Sequence, residues 1–313
     1  MLLGELIKNI KPAYKSIKFN NIRFNSKDCK TNDIFFSIQG NKLKGNNYIK
    51  EAIKNGSKII ISNLNFEGFN KEKILFIKNK NPRKALTDAA SNFYKKKPKN
   101  IIALTGTNGK TSISNFFYQI LSLSKKKVAA IGTLGVLSKK IKLKTNNTTI
   151  DPIKMHQILQ KLKNSNIDNV IIEASSHGLK QHRLDGLNLK TALFTNLTRD
   201  HLDYHKTFKD YLNSKLILFN KLLLNKGNII FENGISQEKE LKKISKKKKL
   251  KIHKIGSENS FINLKKIQKI NDKKRINFSL LKKDYSFNSY LIGSIQIKNL
   301  LFAILAAYLS GIK

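Results

Sequence analysis

The stretch Ile101-Ile-Ala-Leu-Thr-Gly-Thr-Asn-Gly-Lys-Thr-Ser112 decides the fold. Ile101 to Leu104 read as a buried strand, Gly106 and Gly109 bracket a tight loop, and Lys110-Thr111-Ser112 open a helix. That helix shows an apolar face of Ile113, Phe116, Phe117, Ile120 and Leu121. Glycines so placed let backbone N–H groups turn toward an anion, and the helix start aims its positive dipole end at the same point. On this reading Lys110 reaches the β- and γ-phosphates of a mononucleotide, and the Thr111 hydroxyl ligates Mg²⁺. The general pattern G-x-x-x-x-G-K-[ST] asks for glycine where Leu104 stands, so it fails by one residue. The plain alternative is a glycine-rich turn before an ordinary helix; the strand on one side and the apolar face on the other weigh against it.

Working outward, residues 1 to roughly 96 read as a small α/β unit, with strands at Ile34 to Ile38 and Lys58 to Ser62 around a helix from about Tyr48 to Asn55. Lys95-Lys-Lys-Pro98 reads as a hinge, and residues 97–313 as a second domain. There, apolar strands (Ile101 to Leu104, Val128 to Ile131, Val170 to Glu173, Ala192 to Thr195, Asn228 to Phe231) alternate with helical segments. Such alternation predicts a doubly wound, mostly parallel sheet, whose ligands bind beyond the carboxyl ends of its strands. Residues 232 to 290 read as strands and loops with lysine-rich decoration, followed by an apolar helix from Ile297 to Leu309 with Gly311 as its C-cap.

The chain has 313 residues, 40% of them hydrophobic, and carries a net charge of +41. The excess is Lys rather than Arg and comes with many Asn and Ile; these share A/T-rich codons, so composition bias explains it better than a nucleic-acid surface does. The tracts Lys95 to Lys97, Lys125 to Lys127 and Lys246 to Lys249 read as solvated linkers or loops. Cys29 is the single cysteine, which excludes an intramolecular disulfide and a cysteine metal cluster. No signal peptide is visible, and the most apolar run, Leu300 to Leu309, is about half the length a bilayer requires, so a cytoplasmic protein is expected.

Two polar clusters follow predicted strands. In Ile171-Ile-Glu-Ala-Ser-Ser-His-Gly-Leu-Lys-Gln-His-Arg183, Glu173 is placed to hold Mg²⁺ opposite the phosphate loop; pairing with a nearby lysine is the simpler alternative. His177 and His182 carry less weight, since a lone histidine is more often structural. Phe194-Thr-Asn-Leu-Thr-Arg-Asp-His-Leu-Asp-Tyr-His205 places acids and histidines beside a metal or phosphate site, with His201 weak as a ligand on local sequence alone.

Together these segments resemble the Mur ligase superfamily. Thr105 to Ser112 is similar to its T-G-T-N-G-K-[ST]-[ST] loop, which accounts for Leu104. Glu173 to Arg183 is similar to E-V-S-S-H-G-L-x-Q-x-R and Thr195 to His205 to T-N-L-x-R-D-H-L-D-Y-H, the two segments that mark the branch adding the third amino acid to UDP-N-acetylmuramoyl-L-alanyl-D-glutamate. Asn25-Ser-Lys27 stands for D-S-R and Asn32 to Gly40 for G-D-L-F-x-A-x-x-G in the uridine-nucleotide domain. Lys27 loses the planar bidentate donor of arginine. Ile150 replaces a common proline, and Gly293 to Asn299 resembles G-x-F-N-x-x-N with Gln296 for the first asparagine.

The resemblance implies an N-terminal UDP-sugar-binding domain (1–96) and a central ATP-binding domain (97–313), with a C-terminal amino-acid-binding domain expected to be missing. It implies ATP on Gly106, Thr107, Asn108, Gly109, Lys110, Thr111 and Ser112, with Asn299 at the adenine. It implies Mg²⁺ near Thr111, Glu173 and His201, with Lys215, carbamylated, holding a second ion. The nucleotide-sugar peptide falls to Ser26, Asn41, Lys42, Leu43, Asn147, Thr148, Thr149, Ser175, Gln181 and Arg183. The implied reaction is an ATP-dependent ligation of meso-diaminopimelate or L-lysine through an acyl phosphate, in peptidoglycan precursor synthesis, by a monomer without nucleic-acid partner or membrane insertion. Catalysis then rests on Lys110, Glu173, His201 and Lys215. Folylpolyglutamate synthase, built on the same ATPase core, is the nearest enzyme rival. A noncatalytic nucleotide-binding or basic nucleic-acid-binding protein is the rival of another class.

Overall fold

The computed structural model describes residues 1–40, 44–256 and 260–312, which divide into two compact units. The first comprises Met1–Lys97 together with Asp151–Lys161 and Gln181–Gly186, so two later segments join the N-terminal stretch. Its sheet runs β1 (Ile22–Arg23), β2 (Ile34–Phe36), β3 (Ile59–Ser62), β5 (Leu75–Lys78), β4 (Gly68–Phe69), all parallel except β4 against β5. Both faces are covered, as a parallel sheet requires. The two-residue alternation of a strand sends Ile34, Phe36, Ile59 and Ile61 toward helices α1 (Leu3–Leu6) and α3 (Pro82–Phe93), and Phe35 and Ile60 toward α2 (Ile49–Lys54). Helix α3 starts where Asn81 Oδ1 accepts the Lys84 amide at 3.0 Å and Pro82 takes the first turn.

The second unit holds Pro98–Ile150, Leu162–Lys180 and the described residues from Leu187 onward. Its strands are β6 (Asn100–Thr105), β7 (Val128–Gly132), β8 (Gly135–Ser138), β9 (Lys142–Leu143), β10 (Asn169–Glu173), β11 (Leu189–Phe194), β12 (Leu223–Glu232), β13 (Lys251–Gly256), β14 (Ile262–Ile270), β15 (Lys273–Leu280) and β16 (Lys283–Ser289). They order as 16-15-14-13-12-11-6-10-7-8-9, parallel from β14 through β7 and antiparallel at both edges. The strand that opens the motif is thus central, and Ile101 to Leu104 are fully buried. Helix α4 (Lys110–Leu123) packs Ile113, Phe117 and Leu121 against Leu301, Phe302 and Leu305 of α10 (Ser294–Leu309). Helix α10 ends with Ser310 as cap and Gly311 just beyond it at φ +87°; the Ile312 amide donates to Ala307 O and the Gly311 amide to Tyr308 O. That pairing is a Schellman closure.

Remaining helices are α5 (Pro152–Asn164), α6 (Ser176–Lys180), α7 (Leu202–His205), α8 (Phe208–Ile217) and α9 (Glu238–Lys248). Helix α9 corrects the expectation of strands and loops for 232–290, and of a loop for Lys246 to Lys249. Leu241, Ile244 and Ser245 are buried along one face, and the lysines form its last turn, where cations suit the negative end of the dipole. Lysine density hid that sparse apolar stripe. Lys97 also departs from a solvated tract: its ammonium donates to Ser91 O at 3.2 Å and Ser91 Oγ at 2.8 Å.

Candidate functional site

Strands β6, β10 and β11 end level with one another, with Leu104 opposite Glu173 and Thr105 opposite Phe194. The ladder continues one step further, where the Ala174 amide donates to Leu104 O and the Thr195 amide to Thr105 O. Three chain segments therefore leave the sheet side by side. The loop between β6 and α4 has Gly106 at φ +152° and Gly109 at φ +87°. A Cβ on Gly106 would come within 1.8 Å of Thr195 Oγ1, and one on Gly109 within 2.6 Å of Asn299 Oδ1. Close approach, as well as backbone conformation, demands glycine at both.

The segment after β11 clamps this loop. Asn196 O accepts the Thr107 amide at 3.0 Å, and Asn196 Oδ1 accepts the Asn108 amide at 2.9 Å. Thr195 Oγ1 donates to Asn108 O at 2.7 Å. The Thr107 and Asn108 amides are thereby spent on the clamp, and the N–H groups of the first turn of α4, at Lys110, Thr111 and Ser112, are those a helix start leaves without intrahelical partners.

Two ammonium groups meet at one carbonyl. Lys110 Nζ donates to Gly106 O and Thr107 O, both at 2.8 Å, and Lys215 Nζ donates to Gly106 O at 2.8 Å. Lys215 comes from α8 and is 1% exposed. Burial, aided by the nearby Lys110 charge and opposed by Asp200, brings its pKa down to about 7. Lys110 is also lowered by burial, against the pull of Glu173 and Asp200.

Glu173, 2% exposed at the end of β10, accepts hydrogen bonds from Thr111 Oγ1 at 3.0 Å, Thr133 Oγ1 at 3.0 Å and the Thr133 amide at 3.2 Å. Burial raises its pKa; the donors from Thr133 and Thr111 and the Lys110 charge pull the other way. Thr148 Oγ1 lies 3.1 Å from Thr133 Oγ1, and Thr149 Oγ1 donates to Glu173 O at 2.9 Å while accepting the Ser175 amide at 2.9 Å. Asn147 is exposed on the same segment, its carbonyl accepting from Thr145 Oγ1.

His201 follows β11 on the same side. It is half exposed at φ +54°, beside Asp200, with its ring 5.0 Å from that of His177 and 6.1 Å from that of Tyr211. Lys215 Nζ sits 4.3 Å above the same Tyr211 ring. Among the described residues no cluster of three His, Cys, Asp or Glu side chains is set to hold a metal. The four residues expected at metal thus form two groups, Thr111 with Glu173 and His201 with Lys215 about Tyr211. Asn299 donates to Gln296 Oε1 at 3.3 Å and lines Gly109. In the first unit Ser26 Oγ donates to Glu51 Oε2 at 2.5 Å, and Arg183 donates through Nη2 to Gln181 Oε1 at 2.7 Å. Asn41, Lys42 and Leu43 lie outside the described residues.

Local sequence gives Thr195, Asn196 and Tyr211 no assigned role, and nothing marks Thr133, because the partners that place them are distant in sequence.

A glycine-bracketed loop between a central parallel strand and a helix, with a buried carboxylate and a buried lysine beside it, has the form of a P-loop fold, and similarity to known proteins gives the family. The Mur ligase middle domain matches residues 104–307 and the Mur ligase family catalytic domain residues 18–94; the chain belongs to the Mur ligase family. It is 36% identical over 307 residues to a UDP-N-acetylmuramoyl-L-alanyl-D-glutamate--2,6-diaminopimelate ligase of Rickettsia montanensis, covering 97% of this chain and 63% of that protein. A ligase of the same name from Clostridium tetani is 40% identical over 254 residues, 79% of this chain and 52% of its own length. A solved structure of such a ligase superposes with a TM-score of 0.88 at 24% identity, over all of this chain and 64% of that one. The chain therefore spans just under two thirds of the curated relative from Rickettsia montanensis.

Proposed function

We propose that this chain carries the ATP-binding and acceptor-binding parts of a cytoplasmic ligase that joins a third amino acid, meso-diaminopimelate or L-lysine, to UDP-N-acetylmuramoyl-L-alanyl-D-glutamate. The observation that carries the reading is the convergence of Lys110 and buried Lys215 on the Gly106 carbonyl, at the start of an anion-binding helix. The names of the relatives supply the substrate. No helix among the described residues is long and apolar enough to cross a membrane.

ATP phosphates sit on the amides of Lys110 to Ser112 with the Lys110 ammonium swinging from the loop carbonyls onto them, and Asn299 borders the adenine. The Thr111 hydroxyl and Glu173 carboxylate, 3.0 Å apart, are the hard oxygen donors that suit Mg²⁺. Lys215 does not fit as an ammonium, but its pKa of about 7 leaves much of the amine neutral at physiological pH, as carbamylation requires; His201 then completes its group. When bound, Mg²⁺ supplies neutralisation of the charge that builds in phosphoryl transfer. Ser26, Asn41, Lys42, Leu43, Asn147, Thr148, Thr149, Ser175, Gln181 and Arg183 hold the nucleotide-sugar dipeptide. Its D-glutamate γ-carboxylate attacks the γ-phosphate of ATP, ADP leaves, and the amino group of the third amino acid displaces phosphate from the acyl phosphate.

Isothermal titration with UDP-N-acetylmuramoyl-L-alanyl-D-glutamate, Mg²⁺ and a nonhydrolysable ATP analogue tests this. Arg183→Ala should weaken binding roughly 10- to 100-fold, the value of charge-assisted hydrogen bonds to an anion. Absence of binding by a folded wild-type chain overturns the reading.

A further inference from the structure

Tyr211 has no role in the reading above, yet it contacts Thr107, Lys215 and His201, which do. It lies in α8, one helical turn before Lys215, and is fully buried. Its hydroxyl is 3.1 Å from Thr107 Oγ1, in the middle of the nucleotide loop. Thr107 Oγ1 also accepts the Thr198 amide at 3.0 Å and donates to Thr198 O at 3.3 Å. A hydroxyl has one proton and two lone pairs. The proton goes to Thr198 O and one lone pair to the Thr198 amide, so Tyr211 O–H fills the other as donor. Below the hydroxyl, the ring face carries Lys215 Nζ at 4.3 Å, while Lys215 itself reaches Gly106 O, one residue before Thr107. The His205 ring packs on it at 5.2 Å and the His201 ring at 6.1 Å.

We propose that Tyr211 is the positioning residue of the nucleotide site: its hydroxyl fixes the Thr107 turn while its ring seats Lys215, so that loop and lysine are held in register by one buried side chain. Tyr211 touches no phosphate; it acts through Thr107 and Lys215. The inference rests on the ATP-binding reading above.

The test is titration of a nonhydrolysable ATP analogue with Mg²⁺ into the purified full chain, for wild type, Tyr211→Phe, Thr107→Val, the double variant and Tyr211→Leu, well below each melting temperature. Tyr211→Phe keeps the ring and the fold. It should weaken binding about 3- to 10-fold, the scale of one buried hydrogen bond, and the double variant should be no weaker than the poorer single one. Tyr211→Leu should lose more, because Lys215 loses its seat. A merely structural tyrosine would lower melting temperature in Tyr211→Phe and leave affinity at the wild-type value, which overturns the proposal. Leucine equal to phenylalanine overturns the role of the ring. If wild type binds no analogue, the ATP-binding reading itself fails and takes the inference with it.

Discussion

The carboxyl end of β6, β10 and β11 and the outer edge of the same sheet, α9 with β14 to β16, both carry lysines, yet the chemistry of those lysines differs. At the centre Lys110 and Lys215 are sunk against backbone carbonyls and their pKa values fall. At the edge Lys265 and Asp284 pair at 2.7 Å with half or more of each side chain in water, and Lys246 and Lys247 are exposed, while Lys248 at the end of α9 turns in to Asn220 O and Leu223 O and is lowered by burial. Water screens such pairs to about 0–1 kcal/mol. Of 61 cationic side chains, it is burial together with a shared carbonyl, not number, that sets Lys110 and Lys215 apart.

The largest effect that could break this contrast is at the loop. Gly106→Ala must push Thr195 Oγ1 away from 1.8 Å at a left-handed φ, and should cost about 2–4 kcal/mol in denaturant unfolding. At the edge, Gly234→Ala meets no atom within 4 Å and should cost only the strain of its φ of +76°, about 1 kcal/mol. Equal losses would refute a crowded centre.

Next comes Lys215. Its folded pKa of about 7 lies below the ordinary 10.5, so between those values the unfolded chain binds more protons and stability rises with pH. Wild type should gain roughly 2 kcal/mol relative to Lys215→Met between pH 7 and pH 9. Parallel pH profiles for the two proteins would show that Lys215 is solvated.

The smallest effect sharpens the edge. Glu238 is held down to about 2 by hydrogen bonds from Lys242 and Lys254. Its contribution is present above its ordinary value of 4.5 and fades as pH falls toward 2. Glu238→Gln should cost about 1 kcal/mol or less at pH 7 and nothing near pH 2, read from urea unfolding.

Much of the fold was legible because its signals are local. The five strands expected in the second domain all form, β12 extending from Leu223 to Glu232 where Asn228 to Phe231 was expected. Helix α9 was not legible, since two buried apolar residues among lysines give too weak a period. Within the site, Gly106 to Ser112 and Glu173 were marked by motif and position, whereas the Asn196 clamp, Thr133 beside Glu173 and Tyr211 against Thr107 arise from partners 40 to 104 residues away.

The sequence by itself determined the strand, glycine loop and helix at Ile101 to Leu121 and the family of the chain, because backbone conformation and apolar periodicity are short-range properties written in neighbouring residues. Only the tertiary structure decided which lysine lost its water, which threonines face Glu173 and which side chain ties the loop to α8. Desolvation and hydrogen-bond partnership depend on what the rest of the chain brings alongside.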